Sequence, residues 1–443
     1  MLYIASPPQG GRRLPSFINN PSLICAKMPP LQPPYRNLPN EVLRMIFSTL
    51  TGTHPRRPDA LYNLLFVSRR VNSIAKPLFY RHVALYCGAH VHLKYVDCQG
   101  YRQSLDSLVR AITADGAAMG ACVRTLNLTI PPFAVEYGDE KYCGETLDAL
   151  LPHLPHLRNL SAYYNGVEEP PVSKLALMPY PAKLTSLTIN NVEDYPAFLA
   201  FLGACPCLEF LAVAMICHGA DTDALGVIPP DVIPRLRGVY CDCQFLYFCL
   251  LAGRRIEHIN LMGCDIPWAI HIGADLHALA GSMALARSLS APGPMGIQCV
   301  LREDIIAPYS LLEFLAVDVC DKITLGDVQM VAECWSKNLR YIYLRCKGCM
   351  PGHDAIAEEF FAAMPSLIVL DIDIDAYHTS AAGSASPRCS RYLRGSPMEK
   401  DTALNLGFPC CDDFQDPMWV DSVEDLIERR LKDVAGEPPS QVL

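Results

Sequence analysis

The feature that most restricts this chain is a step. A short apolar block of the form L-x-x-L-x-h, with h any apolar residue, starts at Val123, Leu157, Leu184, Leu208, Leu236, Ile256, Ala286, Leu312, Leu339 and Leu367. The mean interval is about 27 residues, a period that belongs to stacked structural units. Each unit is too small to bury its own apolar face and hides it against the next copy. Because 51% of the residues are hydrophobic, three fixed apolar positions recur by chance in roughly 0.13 of windows, so the block alone would be weak. Its regular spacing and the helical stretches between blocks strengthen it. Among those stretches are ETLDALLPHL, PAFLAFLGAC, CQFLYFCLLAG, DVQMVAECWSKN and HDAIAEEFFAAM. Parallel strands joined by helices predict an α/β fold, a curved parallel sheet lined by helices. Position nine of a block is Asn165, Cys264 and Cys320 in three copies, residues suited to bonding a turn backbone. The copy at Ala286 fits worst.

Composition removes several classes of function. A hydrophobic share of 51% with 19% charged residues excludes a disordered chain. The net charge of −9 comes without a basic run long enough to follow a phosphate backbone, so no nucleic acid is expected as partner. Twenty cysteines are scattered singly, and the amino end lacks the pattern of a secretion signal; reduced thiols in the cytoplasm or nucleus are expected. The one stretch of membrane-spanning length, residues 197–216, is broken by Gly203, Pro206 and Glu209, so no membrane span is expected. Without a signal, the sequons at Asn127 and Asn159 carry no glycan.

Along the chain the texture changes four times. Residues 1–36 are rich in proline, with Gly10 and Gly11, and read as a loose leader. Residues 37–85 carry three short helical patterns. In the first, Val42, Leu43, Ile46, Phe47 and Leu50 share one face, with Pro39 and Glu41 suited to the first turn. Leu61, Leu64 and Leu65 mark the second, and Val71, Ile74, Leu78 and Phe79 the third, which Pro77 is expected to end or kink near Lys76. Such a unit lies near the lower size limit for independent stability. Residues 86–375 hold the repeats, opened by an irregular strand at Val83–Leu85; residues 376–420 have linker composition, and residues 421–435 form one more amphipathic helix around Val423, Leu426, Ile427 and Leu431.

The helical unit, from Leu38-Pro39-x-Glu41-Val42-Leu43-x-x-Ile46-Phe47-x-x-Leu50 through Leu64 and Val67-Ser68-Arg69-Arg70 to Leu78-Phe79-Tyr80-Arg81-His82-Val83, resembles an F-box. The resemblance is to the fungal kind that runs straight into leucine-rich repeats, and with the repeats it covers about three-quarters of the chain. The loop from Thr51 to Asp59 is longer than usual, and Phe79 or Tyr80 stands where a tryptophan is frequent. The resemblance implies a non-catalytic substrate receptor of a Skp–cullin–F-box ubiquitin ligase. The F-box would grip the Skp adaptor, and the cullin through it, while the repeats present a target protein for ubiquitination. Carried over residue by residue, adaptor binding falls to Leu38, Pro39, Glu41, Val42, Leu43, Ile46, Phe47, Leu50, Leu64 and Val67. The blander reading makes these side chains the core of a helical cap. A leucine-rich scaffold that no longer engages a cullin is the alternative function.

On a repeat strand, positions one, four and six point into the core and positions two, three, five and seven face the other surface. Arg158, Tyr163, Tyr240, Arg340, Tyr341, Tyr343 and Arg345 are the expected target contacts, because Tyr and Arg dominate protein interfaces; Asn159, Glu257, His258, Glu313, Phe314 and Asp318 are further candidates. Asp371, Asp373 and Asp375 share one face beside the Arg340–Arg345 cluster if the repeats stack in order. Cys87, His90, His92 and Cys98 match no standard zinc spacing, and Cys346-x-x-Cys349 lacks a second pair and reads as two structural thiols. No phosphate-binding loop, dinucleotide fingerprint or nucleophile elbow occurs. Neither cofactor nor metal is expected.

Overall fold

The computed structural model describes residues 2–3, 38–52, 59–86, 98–114, 119–130, most of 147–164 and 175–213, and parts of 228–261, 285–291, 311–319, 328–332, 338–346, 353–374 and 388–394. The zinc-like Cys/His cluster (save Cys98), the position-nine residues, Cys349, Asp375 and the helix expected at 421–435 lie outside these residues. The chain divides into two compact units, Met1–Glu169 with Leu177–Tyr180 and Pro170–Ala176 with Pro181–Leu443. The division falls inside the stretch expected to form one array.

The first unit begins with a two-residue strand, β1 (Leu2–Tyr3), within the segment read as a loose leader. Three helices follow, α1 (Asn40–Gly52), α2 (Asp59–Leu64) and α3 (Arg69–Phe79). They meet around Leu43, Phe47, Leu61, Ile74, Ala75 and Phe79, with Leu38, Leu64, Leu65, Val71, Leu78 and Tyr80 packed partly against them. Burying a side chain such as Leu43 or Phe47 contributes about 1.5–3 kcal/mol. Ser68 caps α3, its hydroxyl accepting the Val71 N–H at 3.1 Å. Pro77 does not end α3 near Lys76, as its missing N–H suggested; the helix runs to Phe79. Proline removes one backbone bond, while Ala75 and Phe79 on either side of it are buried in the shared core.

From α3 the chain passes into β2 (His82–Tyr86), then α4 (Cys98–Ala114), β3 (Thr125–Ile130) and β4 (Asn159–Tyr164). These strands pair in parallel, β1 with β2, β2 with β3 and β3 with β4. Helix α4, with Leu105, Leu108 and Ile112 buried, stands between two parallel strands as the crossover such a pair requires. Gly120 is confined by packing, since a Cβ there would run into the His153 carbonyl.

The second unit carries β5 (Ser186–Ile189), α5 (Tyr195–Gly203), β6 (Phe210–Val213), β7 (Gly238–Cys241), β8 (His258–Leu261), β9 (Ser288–Ala291), β10 (Phe314–Val319), β11 (Tyr341–Cys346), α6 (His353–Ala363), β12 (Val369–Ile374) and β13 (Arg388–Leu393). Strands β5 to β12 pair in parallel in chain order. The stretch 197–216 is thus part helix and part strand, and among the described residues no helix is long and apolar enough to cross a membrane. Asp194 caps α5, Oδ1 accepting the Ala197 N–H at 2.9 Å, and Pro196 sits in its first turn.

In both units the strands from β3 to β12 begin two residues after their sequence block, and every described residue at positions one, four and six is buried. The fit includes the poor copy at Ala286, whose strand β9 holds the common register with β8 and β10. Strand β13 was not anticipated: it runs antiparallel to β12, inside a stretch of linker composition, and covers an edge that would otherwise present unpaired backbone groups. It is pinned by Tyr392, whose hydroxyl donates to Asp354 Oδ1 at 3.0 Å, and by Arg394, which donates to the Leu367 and Phe361 carbonyls at 2.7 Å each.

Candidate interaction surfaces

The helices of the first unit sort the expected adaptor-binding residues into two sets. Leu43 and Phe47 face inward, and Leu38, Val42 and Leu64 are half-buried. Pro39, Glu41, Ile46 and Val67 are exposed; for Leu50 only the helical backbone is described. Three apolar residues not picked out from the sequence join the exposed set: Met45, Tyr62 and Phe66. Phe66 is 71% exposed, Met45 62% and Val67 56%. Their signal was present in the sequence. Met45 adds a second stripe beside Ile46, and Phe66 and Val67 lie just before the Ser68 cap, where no helical face claims them. Tyr62 supports Phe66 edge-to-face, ring centroids 5.0 Å apart. Arg70 fixes the start of α1, Nε donating to Asn40 Oδ1 at 2.9 Å and Nη2 to the Leu38 carbonyl.

On the strands, the face opposite the core is formed by positions three and five, and it changes character along the second unit. At β10 to β12 it is apolar and closed: Phe314, Ala316, Tyr341, Tyr343 and Val369 form a second core, with Ile368 and Leu393 against it. Tyr341 and Tyr343, expected as exposed target contacts, are only 3% and 8% exposed. Tyr341 instead donates its hydroxyl to Asp371 Oδ2 at 2.6 Å, and Asp371 is fully buried. The pattern could not reveal this, because an aromatic at a surface-facing position reads alike whether or not something covers it. Repeat order is as expected: Arg345 stands in register with Asp373 on one side and Asp318 on the other. Arg158 remains exposed, and Tyr240 and Arg340 half-exposed. Tyr163 lies on β4, with only its backbone described, as for Arg345.

At β8 and β9 the same face is polar. His258 Nδ1 lies 3.1 Å from Ser288 Oγ, Asn260 pairs in register with Ser290, and the Asn260 Oδ1 atom is buried without a hydrogen-bond partner. Burial drives the His258 pKa down to about 4, with Glu257 opposing and Arg237 and Arg287 reinforcing. The imidazole is therefore neutral at neutral pH. Glu257, His258 and Ser288 do not make a catalytic triad. The Glu257 carboxylate is engaged by Arg237 at 2.6 Å, and His258 Nε2 lies 3.9 Å away, beyond hydrogen-bond reach. The arrangement lacks the hydrogen-bonded relay of a triad. In the first unit His82 Nδ1 lies 3.0 Å from Thr125 Oγ1, and burial, with the charge of Arg81 adding to it, takes its pKa to about 4 as well.

Position two forms a separate row, at the start of each strand. The carbonyl of one such residue accepts the N–H groups of positions two and three on the next strand, as when Arg237 O takes Glu257 N at 2.8 Å and His258 N at 3.0 Å. In the second unit the row reads Thr185, Glu209, Arg237, Glu257, Arg287, Glu313, Arg340, Ile368, and the charged members between its uncharged ends alternate in sign. Its members meet: Arg237 with Glu257 and Arg287 with Glu313, each at 2.6 Å. The Arg237 bond holds the Glu257 carboxyl below the usual carboxylate range. In the first unit the row reads Arg81, Arg124, Arg158. Successive members of these rows lie 20 to 43 residues apart in the chain, and the column emerges only when the blocks are stacked strand on strand.

One more basic group is structural. Arg254, only 6% exposed, donates to the carbonyls of Ile233 at 3.1 Å, Ile228 at 3.0 Å and Pro229, tying the turn before β7. Among the described residues no group of three or more His, Cys, Asp or Glu could hold a metal ion. Comparison with models of known protein families gave no match, and neither did comparison with curated protein sequences.

Proposed function

We propose that this chain is the substrate-recognition subunit of a Skp–cullin–F-box ubiquitin ligase, working in the cytoplasm or nucleus and carrying out no covalent chemistry itself. The observation that carries the reading is the outer surface of α1–α3, where Met45, Ile46, Tyr62, Phe66 and Val67 stand exposed on a unit that already has its own core. A helical cap has no use for so many large apolar side chains left in water, whereas a set of exposed apolar residues suits a protein partner. They fall within the stretch that resembles an F-box, between its Leu38-Pro39 opening and its Val67-Ser68-Arg69-Arg70 segment. On this reading the Skp adaptor covers them, and the cullin joins through the adaptor. The parallel strands are leucine-rich repeats, supported by the step of about 27 residues and by the burial of positions one, four and six. Target contacts come from Arg158, Tyr240 and Arg340 together with the polar face of β8 and β9, whereas Tyr341 and Tyr343 are buried and offer no such contact.

Co-expression with the Skp adaptor tests the proposal. Phe66→Glu with Val67→Glu is expected to abolish co-purification while far-UV circular dichroism and melting temperature stay unchanged, because both side chains are exposed. Leu38→Ala with Pro39→Ala is expected to abolish it too. Full retention of the complex by the glutamate pair refutes the docking surface. If the wild-type chain recovers no Skp where other F-box proteins do, the scaffold alternative stands.

A further inference from the structure

The antiparallel strand β13 works on two faces at once. Successive side chains of a strand alternate between its faces, and here each face reaches a different part of the second unit. Tyr392 and Arg394 turn to α6. The Tyr392 hydroxyl donates to Asp354 Oδ1, in the first turn of the helix, at 3.0 Å. At the other end the Arg394 guanidinium donates to the carbonyls of Phe361 and Leu367 at 2.7 Å each and to that of Met364, and its carbon lies 5.3 Å from the centre of the Phe361 ring. A cation there satisfies carbonyls that the helix itself leaves over. Leu393, between the two, packs from the opposite face against the Phe314, Ala316, Tyr341, Tyr343 and Val369 cluster, in register with Val369. That cluster is itself connected: Phe314 and Tyr341 meet edge-to-face with ring centroids 5.0 Å apart, and Tyr341 donates to the buried Asp371.

One strand therefore holds both ends of α6 and the closed face of β10 to β12 together. Its own apolar content is small. Strand β13, Arg388-Cys389-Ser390-Arg391-Tyr392-Leu393, has two large apolar residues, whereas β11, Tyr341-Ile342-Tyr343-Leu344-Arg345-Cys346, has four. A closing strand with little apolar surface belongs to the low-stability end of a fold, so beyond its ladder with β12 it depends on the Tyr392 and Arg394 bonds and the Leu393 contact. We propose that β13 is a latch. Engaged through Tyr392 and Arg394, it keeps the Phe314–Tyr341–Tyr343 face closed; released, it lets that face open ahead of the rest of the sheet. The latch uses no residue of the adaptor surface and stands independently of that reading.

Hydrogen exchange of the full chain, read by mass spectrometry, tests it. In Tyr392→Phe with Arg394→Gln, the amides of β11, β12 and β13 are expected to exchange at least about tenfold faster than in wild type. Those of β6, β7 and β8 are expected to stay within about twofold. Binding of the dye ANS, which reports exposed apolar surface, should rise in the same variant. Tyr392→Phe with Arg394→Lys, which keeps the charge and loses the fork, is expected to give the same pattern at smaller size, and it decides the matter if the glutamine pair fails to fold. The proposal is overturned if β13 alone exchanges faster while β11 keeps its wild-type rate, which would make β13 a cover that seals nothing. It is equally overturned if β6 to β8 accelerate as much as β11, which would mean a general loss of stability, or if both variants exchange like wild type.

Discussion

The helices α1–α3 and the repeated strands face the same problem, apolar surface on a small unit, and resolve it in different ways. Every described strand from β3 to β12 buries positions one, four and six, because each repeat finds its cover in the next copy. The three helices have no copy to lean on. They enclose Leu43, Phe47, Leu61, Ile74, Ala75 and Phe79 and leave Met45, Phe66 and Val67 outside. A repeat completes itself by repetition, whereas a lone bundle of about 40 residues is completed by another surface or keeps an apolar face in water.

That comparison can be broken most sharply within the helical unit. Phe47→Ala is expected to cost about 3–5 kcal/mol, read as a lowered denaturant midpoint, while Phe66→Ala changes stability by less than about 0.5 kcal/mol. Similar losses for the two would mean that the exposed set belongs to the fold rather than to a partner. Next in size comes the closed face of the strands. Tyr341→Phe removes the hydroxyl that donates to the buried Asp371, at a cost of about 1–3 kcal/mol. An unchanged denaturant midpoint would show that the Tyr341–Asp371 hydrogen bond contributes nothing to this closed face.

A further test is one of pH. His82 and His258 have pKa values lowered to about 4 from 6.5. Below pH 6.5 the unfolded chain takes up protons that these folded imidazoles refuse, so acidification favours unfolding. Stability should fall as pH drops from 6.5 toward 4 and level off, for this contribution, below that. Melting temperature followed across this range should decline less steeply for His258→Asn than for wild type. Parallel slopes would mean that the imidazole titrates alike in both states, and that the polar face of β8 and β9 is wetter than its geometry indicates.

How much of this was legible depended on whether local chemistry or packing decides the outcome. Ser68 as a cap and Asp194 before Pro196 are local signals, and they act as helix starts. The strand positions were equally readable, since the block recurs and errors at one copy, such as Ala286, are corrected by register with its neighbours. Strand β13 escaped because an antiparallel closing strand belongs to no repeat, and Arg388–Leu393 sits in a segment of linker composition. The target surface was half readable. Positions three and five were the right columns, but the exposure of Tyr341 and Tyr343 depends on what lies over them.

The sequence alone determined the step, the inward columns and the three-helix unit ahead of them, because apolar periodicity is a property of the chain and follows from water's exclusion of those side chains. Tertiary structure decided which faces stay open. It closed β10 to β12 over Tyr341 and Tyr343, left Phe66 and Val67 outside a finished core, and aligned position two into a row of alternating sign in one unit and a row of three arginines in the other. Each of these rests on which residues stand side by side across strands or helices far apart in the chain, and no local pattern encodes such a neighbour.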